Sequence, residues 1–168
     1  MEATSLQGQA LVQAGRLQDA AAIHSDLRTT HREALGENHV TTLQATHHLG
    51  VTLRLMGTHA EAARLLTVAH GGRRRRLGAE DPATLESAHE LALALQAGEK
   101  RVEATKLAQA TLAGRKRVLG ETHGDTRQTA NLLVGLLDRS KQHSAAAGVR
   151  PAQRRARSKG SPDGRSPP

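Results

Sequence analysis

The sequence predicts an all-α array of repeated helix pairs, and three observations carry that reading. First, the chain is similar to itself at a shift of 42 residues. Leu35-Gly36, Leu77-Gly78 and Leu119-Gly120 superpose, as do Thr42, Thr84 and Thr126, and Ala20, Ala62, Ala104 and Ala146. Second, apolar and small residues within a unit recur at i, i+3, i+4 and i+7, one face of a helix: Thr46, Leu49, Gly50 and Leu53, then Ala88, Leu91, Ala92 and Leu95. Third, no stretch of the 168 residues alternates β-branched and polar residues, which excludes propeller repeats of similar period.

Each unit reads as two helices. In the second unit a first helix carries the Thr46–Leu53 stripe and ends before Gly57. A second helix spans about 60–77, with Ala62, Leu65, Leu66 and Ala69 on one stripe, and Gly78 closes it. Asp81-Pro82 opens the next helix with a capping carboxylate and a proline suited to the first turn. The same punctuation divides the chain into units of about 1–39, 40–81, 82–123 and 124–147, or seven helices in three and a half repeats. From 148 to 168 the sequence is Arg, Ser, Pro and Gly with almost nothing to bury, and reads as a disordered basic tail.

Composition limits the function. There is no Cys, Trp, Tyr or Phe, so thiol chemistry, disulfides, cysteine metal sites and aromatic base-stacking platforms are excluded. The net charge of +8 divides unevenly: residues from Lys141 onward carry +6 and the repeats only +2. The scarcity of Phe, Tyr, Ile, Lys and Asn beside plentiful Ala, Arg and Gly is what a GC-rich coding sequence produces, so arginine abundance alone is no sign of function. Ten histidines are present, but none forms His-Glu-x-x-His and no two stand at i, i+4, so no metal site and no cofactor is expected. Gly-x-Ser-x-Gly and phosphate-loop patterns are missing, and no catalytic residue is assigned: the chain reads as no enzyme.

The small residues Gly50, Ala62 and Ala69 among packing leucines resemble the tetratricopeptide repeat. The 42-residue period and the linkers Leu-Gly-Glu-Asn-His (35–39), Leu-Gly-Ala-Glu-Asp-Pro-Ala-Thr-Leu (77–85) and Leu-Gly-Glu-Thr-His-Gly-Asp-Thr (119–126) look like its kinesin light chain subclass, also found in nephrocystin-3-like and NB-ARC-type proteins. The resemblance covers about residues 4–147. It implies a tetratricopeptide-type α-α superhelix and makes His39 and His123 structural linker residues. The family usually places aromatics where Leu53 and Leu95 stand, and paired Asn where this chain has His47-His48, His89-Glu90 and Asn131-Leu132. Asn131 alone keeps the residue type that grips a bound peptide in the family. With leucine replacing aromatics, close backbone approach must restore the packing.

A helix pair cannot bury its apolar face alone, so units stack into a superhelix with a concave wall lined by the first helix of each pair. Positions expected to face out from that wall are Gln44, His47, Val51 and Arg54, then Glu86, His89, Leu93 and Gln96, then Gln128 and Asn131. The expected function is a protein–protein scaffold that binds a peptide or partner there. Asp138 and Arg139 extend the same wall. Two alternatives stand beside it: a fragment of a larger multidomain regulator, and a nucleic-acid-associated factor acting through the tail. Arg73, Arg74, Arg75 and Arg76, with Arg115, Lys116 and Arg117 one unit later, are expected to form a basic surface patch near helix ends. The location read from these features is cytoplasmic, or nuclear through Arg154–Lys159.

Overall fold

The computed structural model describes residues 2–138, and within them every regular element is helical. The helices are α1 (Glu2–Gln13), α2 (Leu17–Leu35), α3 (Val40–Leu55), α4 (His59–Leu77), α5 (Pro82–Ala97) and α6 (Arg101–Leu119). A seventh, α7, runs over 124–138. The tail 148–168, with Arg139, Lys141 and Arg154–Lys159, lies outside the described residues.

Helix ends fall where the linkers place them. Gly36, Gly78 and Gly120 sit at φ +86°, +99° and +87°, and each amide donates to a carbonyl four residues back, on Arg32, Arg74 and Lys116. A left-handed conformation of this kind is cheap for glycine alone, which fixes the column. A few residues on comes the helix start. The side chains of His39, Asp81 and His123 accept from the amides of Thr41, Ala83 and Asp125 at 3.4, 2.9 and 3.2 Å. The linker histidines therefore act as N-caps, and Asp81 replaces one of them with a better acceptor.

Consecutive helices pack antiparallel along the chain, and α1 also touches α3, as α3 touches α5. No such contact joins α2 to α4 or α4 to α6. First helices close up while second helices splay, so the first helices form the inner layer of a superhelix. The core runs between layers: Leu43, Leu65 and Leu66 are fully buried, with Ala62, Ala69, Ala92, Ala104 and Ala108 between them. Burying each such leucine supplies about 2 kcal/mol. Close approach at glycine makes up for the volume that aromatics would supply. Leu66 packs against Gly50, Leu43 against Gly72, and Leu85 against Gly114, where an added Cβ would sit 2.8 Å from Leu66 Cγ or 2.7 Å from Leu85 Cδ2. Small residue faces leucine at each layer contact, and the backbones come together.

Candidate partner-binding face

The inner layer places the expected wall residues unequally. Gln44, Glu86, Gln128 and Asn131 are exposed, and Val51, Leu93 and Gln96 are half-buried. Gln44, Glu86 and Gln128 occupy one repeat position, 42 residues apart, so their exposed polar heads form a ladder along α3, α5 and α7. Arg54 is half-buried and held by Glu90 of the next unit, at 2.9 Å. On α7, Asp138 is exposed.

His47 and His89 do not face outward. They are only 2% and 7% exposed, because the next first helix covers them. His47 Nδ1 lies 3.2 Å from Ser87 Oγ, and His89 Nδ1 lies 3.3 Å from Thr129 Oγ1, each within hydrogen-bond distance. Each is thus wedged against the following unit. Burial, then the Arg115 charge, lowers the His89 pKa.

The expected basic patch is corrected in the same way. Arg73 and Arg115 are 5% and 3% exposed, far from a surface stripe. Arg73 Nη1 donates to Ala83 O at 2.8 Å and Ser87 Oγ at 2.9 Å. Arg115 Nη1 donates to Asp125 O at 2.7 Å and Thr129 Oγ1 at 2.8 Å. Two successive junctions are therefore closed by one device: arginine from a second helix, hydroxyl from the next first helix, histidine from the previous one. Burial lowers the pKa of both guanidinium groups, and nearby carboxylates oppose that fall. Arg74, Arg75, Arg76, Lys116 and Arg117 do lie exposed. Of these, Arg117 pairs with Glu80 at 2.7 Å, Lys116 with Glu121 at 2.9 Å, and Arg75 donates to Asn38 at 3.4 Å. Part of that surface charge is therefore matched within the array.

Glu86 joins the ladder to the clamp. Its Oε2 stands 3.6 Å from His47 Nε2 and 3.4 Å from Arg73 Nη1, while the side chain stays half-exposed. The His47 ring first, and Arg73 after it, pull its carboxyl down to about 2. Beside it, a recess of about 240 Å³ opens between α1, α3 and α5, bordered by Gln9, Val12, Val51, Glu86 and Glu90. Among the described residues no cluster of His, Asp and Glu could hold a metal ion.

The linkers, the paired helices and the splayed outer layer have counterparts among known proteins. Two models of the tetratricopeptide repeat match the chain, over residues 1–75 and 84–125. The chain belongs to the tetratricopeptide repeat family. Its fold is similar to that of a Podosopora anserina protein described as a kinesin light chain with nearly identical TPR-like repeats. That match has TM-score 0.78 and 24% identity, over 86% of this chain and 69% of the other. A variant form of the same Podosopora anserina protein matches at TM-score 0.78 and 23% identity, over 86% and 68%. BtubC (BKLC) from P. vanneervenii matches at TM-score 0.73 and 17% identity, over 98% and 67%. No curated protein matches the chain. Tetratricopeptide repeats of this kind make the chain a protein-interaction repeat scaffold.

What sequence reasoning missed is a larger cavity, about 420 Å³, between α1, α2 and α3. Its signal was present in the repeat columns. Arg73 and Arg115 are matched by His31, Ser87 and Thr129 by Ala45, and His47 and His89 by Ser5. The first junction has lost its arginine, its hydroxyl and its wedge.

Proposed function

We propose that the chain binds an extended peptide segment of a partner protein along its inner layer. The observation that supports this reading is the ladder Gln44, Glu86 and Gln128, which keeps exposed hydrogen-bonding heads at one repeat spacing while the neighbouring histidines are buried. Amides both donate and accept, as a peptide backbone does, so the ladder offers main-chain recognition with little side-chain selectivity. The wall carries no aromatic anchor, since the chain has none, and affinity is therefore of micromolar order. A larger affinity comes from several weak sites engaged at once.

The location consistent with this reading is cytoplasmic. The described helices include none long and apolar enough to cross a membrane.

The test is selection from a displayed random-peptide library on residues 1–147, followed by titration of the winners. Q44A with Q128A weakens a genuine wall ligand at least tenfold and leaves the helical circular dichroism unchanged. Equal binding by the double variant removes the ladder as the contact. Retention of RNA or DNA that depends on residues 148–168 favours the tail instead.

A further inference from the structure

We propose that α1 is an acid-released cover: it sits on the His24 and His48 rings while both are neutral, and lifts from α2 and α3 when they take up protons. The device does not rest on the peptide reading, since it concerns how one helix is held.

The seat is a close contact between a helix backbone and a ring. Gly8, midway along α1, is buried against His24, and a Cβ added there would collide with His24 Nε2 and stand 2.8 Å from Cδ2. The absence of a side chain at Gly8 is what lets the two meet. His24 is 1% exposed, and its Nδ1 stands 3.1 Å from Thr52 Oγ1. That hydroxyl donates to His48 O at 2.8 Å, so it accepts from His24 Nδ1–H and leaves Nε2 without a proton. Nε2 has no hydrogen-bond partner. A proton placed on it makes a charged donor pressed against the Gly8 backbone, with no acceptor in reach. Moving α1 away admits the water that relieves it.

The rest of the hold on α1 is loose. At the next two junctions an arginine of a second helix bonds a hydroxyl of the following first helix, Arg73 with Ser87 and Arg115 with Thr129. The corresponding residues of the first junction are His31 and Ala45, and a cavity of about 420 Å³ lies between α1, α2 and α3. Open space on that side forfeits contacts that would pin the helix. Gln9 Nε2, 3.4 Å from His48 Nε2, supplies one long polar contact. Leu6 of α1 remains 64% exposed.

The groups facing the two rings set the sign. His24 meets His47 of α3, and His48 stacks on it with centroids 5.4 Å apart. His48 also meets His47, Arg73 of α4 and Glu86 of α5. From α1 comes Gln9, while the one ionisable side chain of that helix, Glu2, stands more than a turn before Gly8. Burial, and His47 after it, hold His24 below its ordinary value. Burial, then His47 and His24, take His48 to about 4, with Glu86 alone opposing. With α1 lifted, the rings meet water and return towards 6.5. Protons therefore favour the released form. Docking is at full strength above pH 6.5 and weakens below it, the ratio of released to docked rising up to about tenfold per pH unit for each ring. Release uncovers Leu27 and Ala45, both buried on the far wall of the cavity, so acid exposes apolar surface that is hidden at neutral pH.

The test is hydrogen exchange of the whole chain at pH 7.5 and 5.5, read by mass spectrometry as protection relative to the unfolded chain at each pH. The expected result is a fall of at least fivefold in the protection of α1 from pH 7.5 to 5.5, with α5 at least tenfold better protected than α1 at both. A smaller fall overturns the proposal, as does equal protection of α1 and α5 at pH 5.5, which makes the release part of global unfolding. Two variants locate the device, and protection of α5 at pH 7.5 checks that each folds. Gly8→Ala drives a Cβ into His24 and lowers α1 protection at least tenfold at pH 7.5; protection equal to that of the unaltered chain overturns the seat. His24→Asn with His48→Gln removes both titrating rings, the Asn amide nitrogen standing at the place of Nδ1. That pair holds the acid-induced fall below twofold, whereas a fall as large as in the unaltered chain assigns the response to other groups and overturns the proposal.

Discussion

Arg73 and Ser87 are joined by a 2.9 Å hydrogen bond across a unit boundary, and Arg115 and Thr129 repeat it 42 residues later at 2.8 Å. A buried arginine donates in each case to a backbone carbonyl at the start of the next first helix and to a hydroxyl one turn further on. The carbonyls of Ala83 and Asp125, first-turn acceptors within their own helices, take a further, charge-assisted donor from the preceding unit. Removing the guanidinium takes two charge-assisted hydrogen bonds out of the interior and leaves a hole between the units. Arg73→Met therefore lowers stability by about 3 kcal/mol, read as a shift in the urea midpoint at constant slope. Arg74→Met, one residue on and exposed, changes it by less than about 0.5 kcal/mol. Equal effects of the two would mean that the clamp carries no stability.

Acid weakens the fold in two stages of the same sign. His24, His48, His70 and His89 have lowered pKa values, by burial above all, and His48 falls to about 4. The unfolded chain binds protons on these groups near pH 6.5, before the folded chain does. Stability is full above that pH and declines as the pH falls towards 4, by on the order of 1 kcal/mol per pH unit for each histidine fully titrating. Glu86 continues the decline. Its folded pKa of about 2 lies below the ordinary 4.5, so its contribution is present above 4.5 and lost as the pH falls towards 2. Chemical denaturation from pH 7.5 to 3 checks this: His48→Gln flattens the upper limb and Glu86→Gln the lower. An unfolding free energy independent of pH between 7 and 4 contradicts it.

Two adjacent glycines of α4 respond oppositely to alanine. A Cβ on Gly72 would collide with the Leu43 side chain, which is itself 1% exposed and has no room to yield. On Gly71 the nearest foreign atom is Arg75 Nη1 at 3.6 Å, an ordinary contact at the end of a flexible side chain. Gly72→Ala costs about 2 kcal/mol by overpacking. Gly71→Ala gains about 0.5–1 kcal/mol from helix propensity. Thermal melts of the two variants give shifts of opposite direction.

How much of this was legible before the structure can be argued from single columns. The 42-residue shift fixes the register, so helix ends at Gly36, Gly78 and Gly120 and the stripe through Leu65 and Leu66 follow from periodicity and turn chemistry. His47 did not follow. A position turned away from its own pair reads as solvent-facing, yet the next first helix arrives there with Ser87, and periodicity says nothing of how far a neighbour wraps. Arg73 was hidden by its company: within Arg73–Arg76 all four look alike, and burial singles out the one whose turn meets the Ala83 carbonyl. The cavity, by contrast, was readable, because the column His31, Arg73, Arg115 changes character at its first member.

The loop between the helices of a pair offers a stabilising change. Gly15, Gly57 and Glu99 share one repeat position, at φ +74°, +84° and +63°. Glycine takes the left-handed conformation freely, whereas a Cβ brings steric cost. Glu99 is exposed, so burial of its side chain does not offset that cost. Glu99→Gly therefore raises stability by up to about 1 kcal/mol, seen as a higher urea midpoint. A decrease would show that Glu99 is not held in that conformation in solution.

Thr42, Thr84 and Thr126 share another column and are all buried, at 0%, 0% and 1% exposure. Their hydroxyls fare differently. Thr42 Oγ1 donates to Gly36 O at 2.9 Å, closing the linker before α3. Thr84 Oγ1 and Thr126 Oγ1 have no hydrogen-bond partner. Valine has nearly the shape of threonine without the polar atom, so the substitution isolates the hydroxyl. At Thr42 it removes a made bond and leaves Gly36 O with only the longer donation from the His39 amide at 3.3 Å, costing about 1 kcal/mol. At Thr84 it removes an unpaired buried hydroxyl, and stability stays level or rises by up to about 1 kcal/mol. Urea unfolding of T42V and T84V should thus move the midpoint down in the first and not in the second. Equal losses would show that Thr84 Oγ1 finds a partner in solution, a bridging water above all, and that the column is uniform after all.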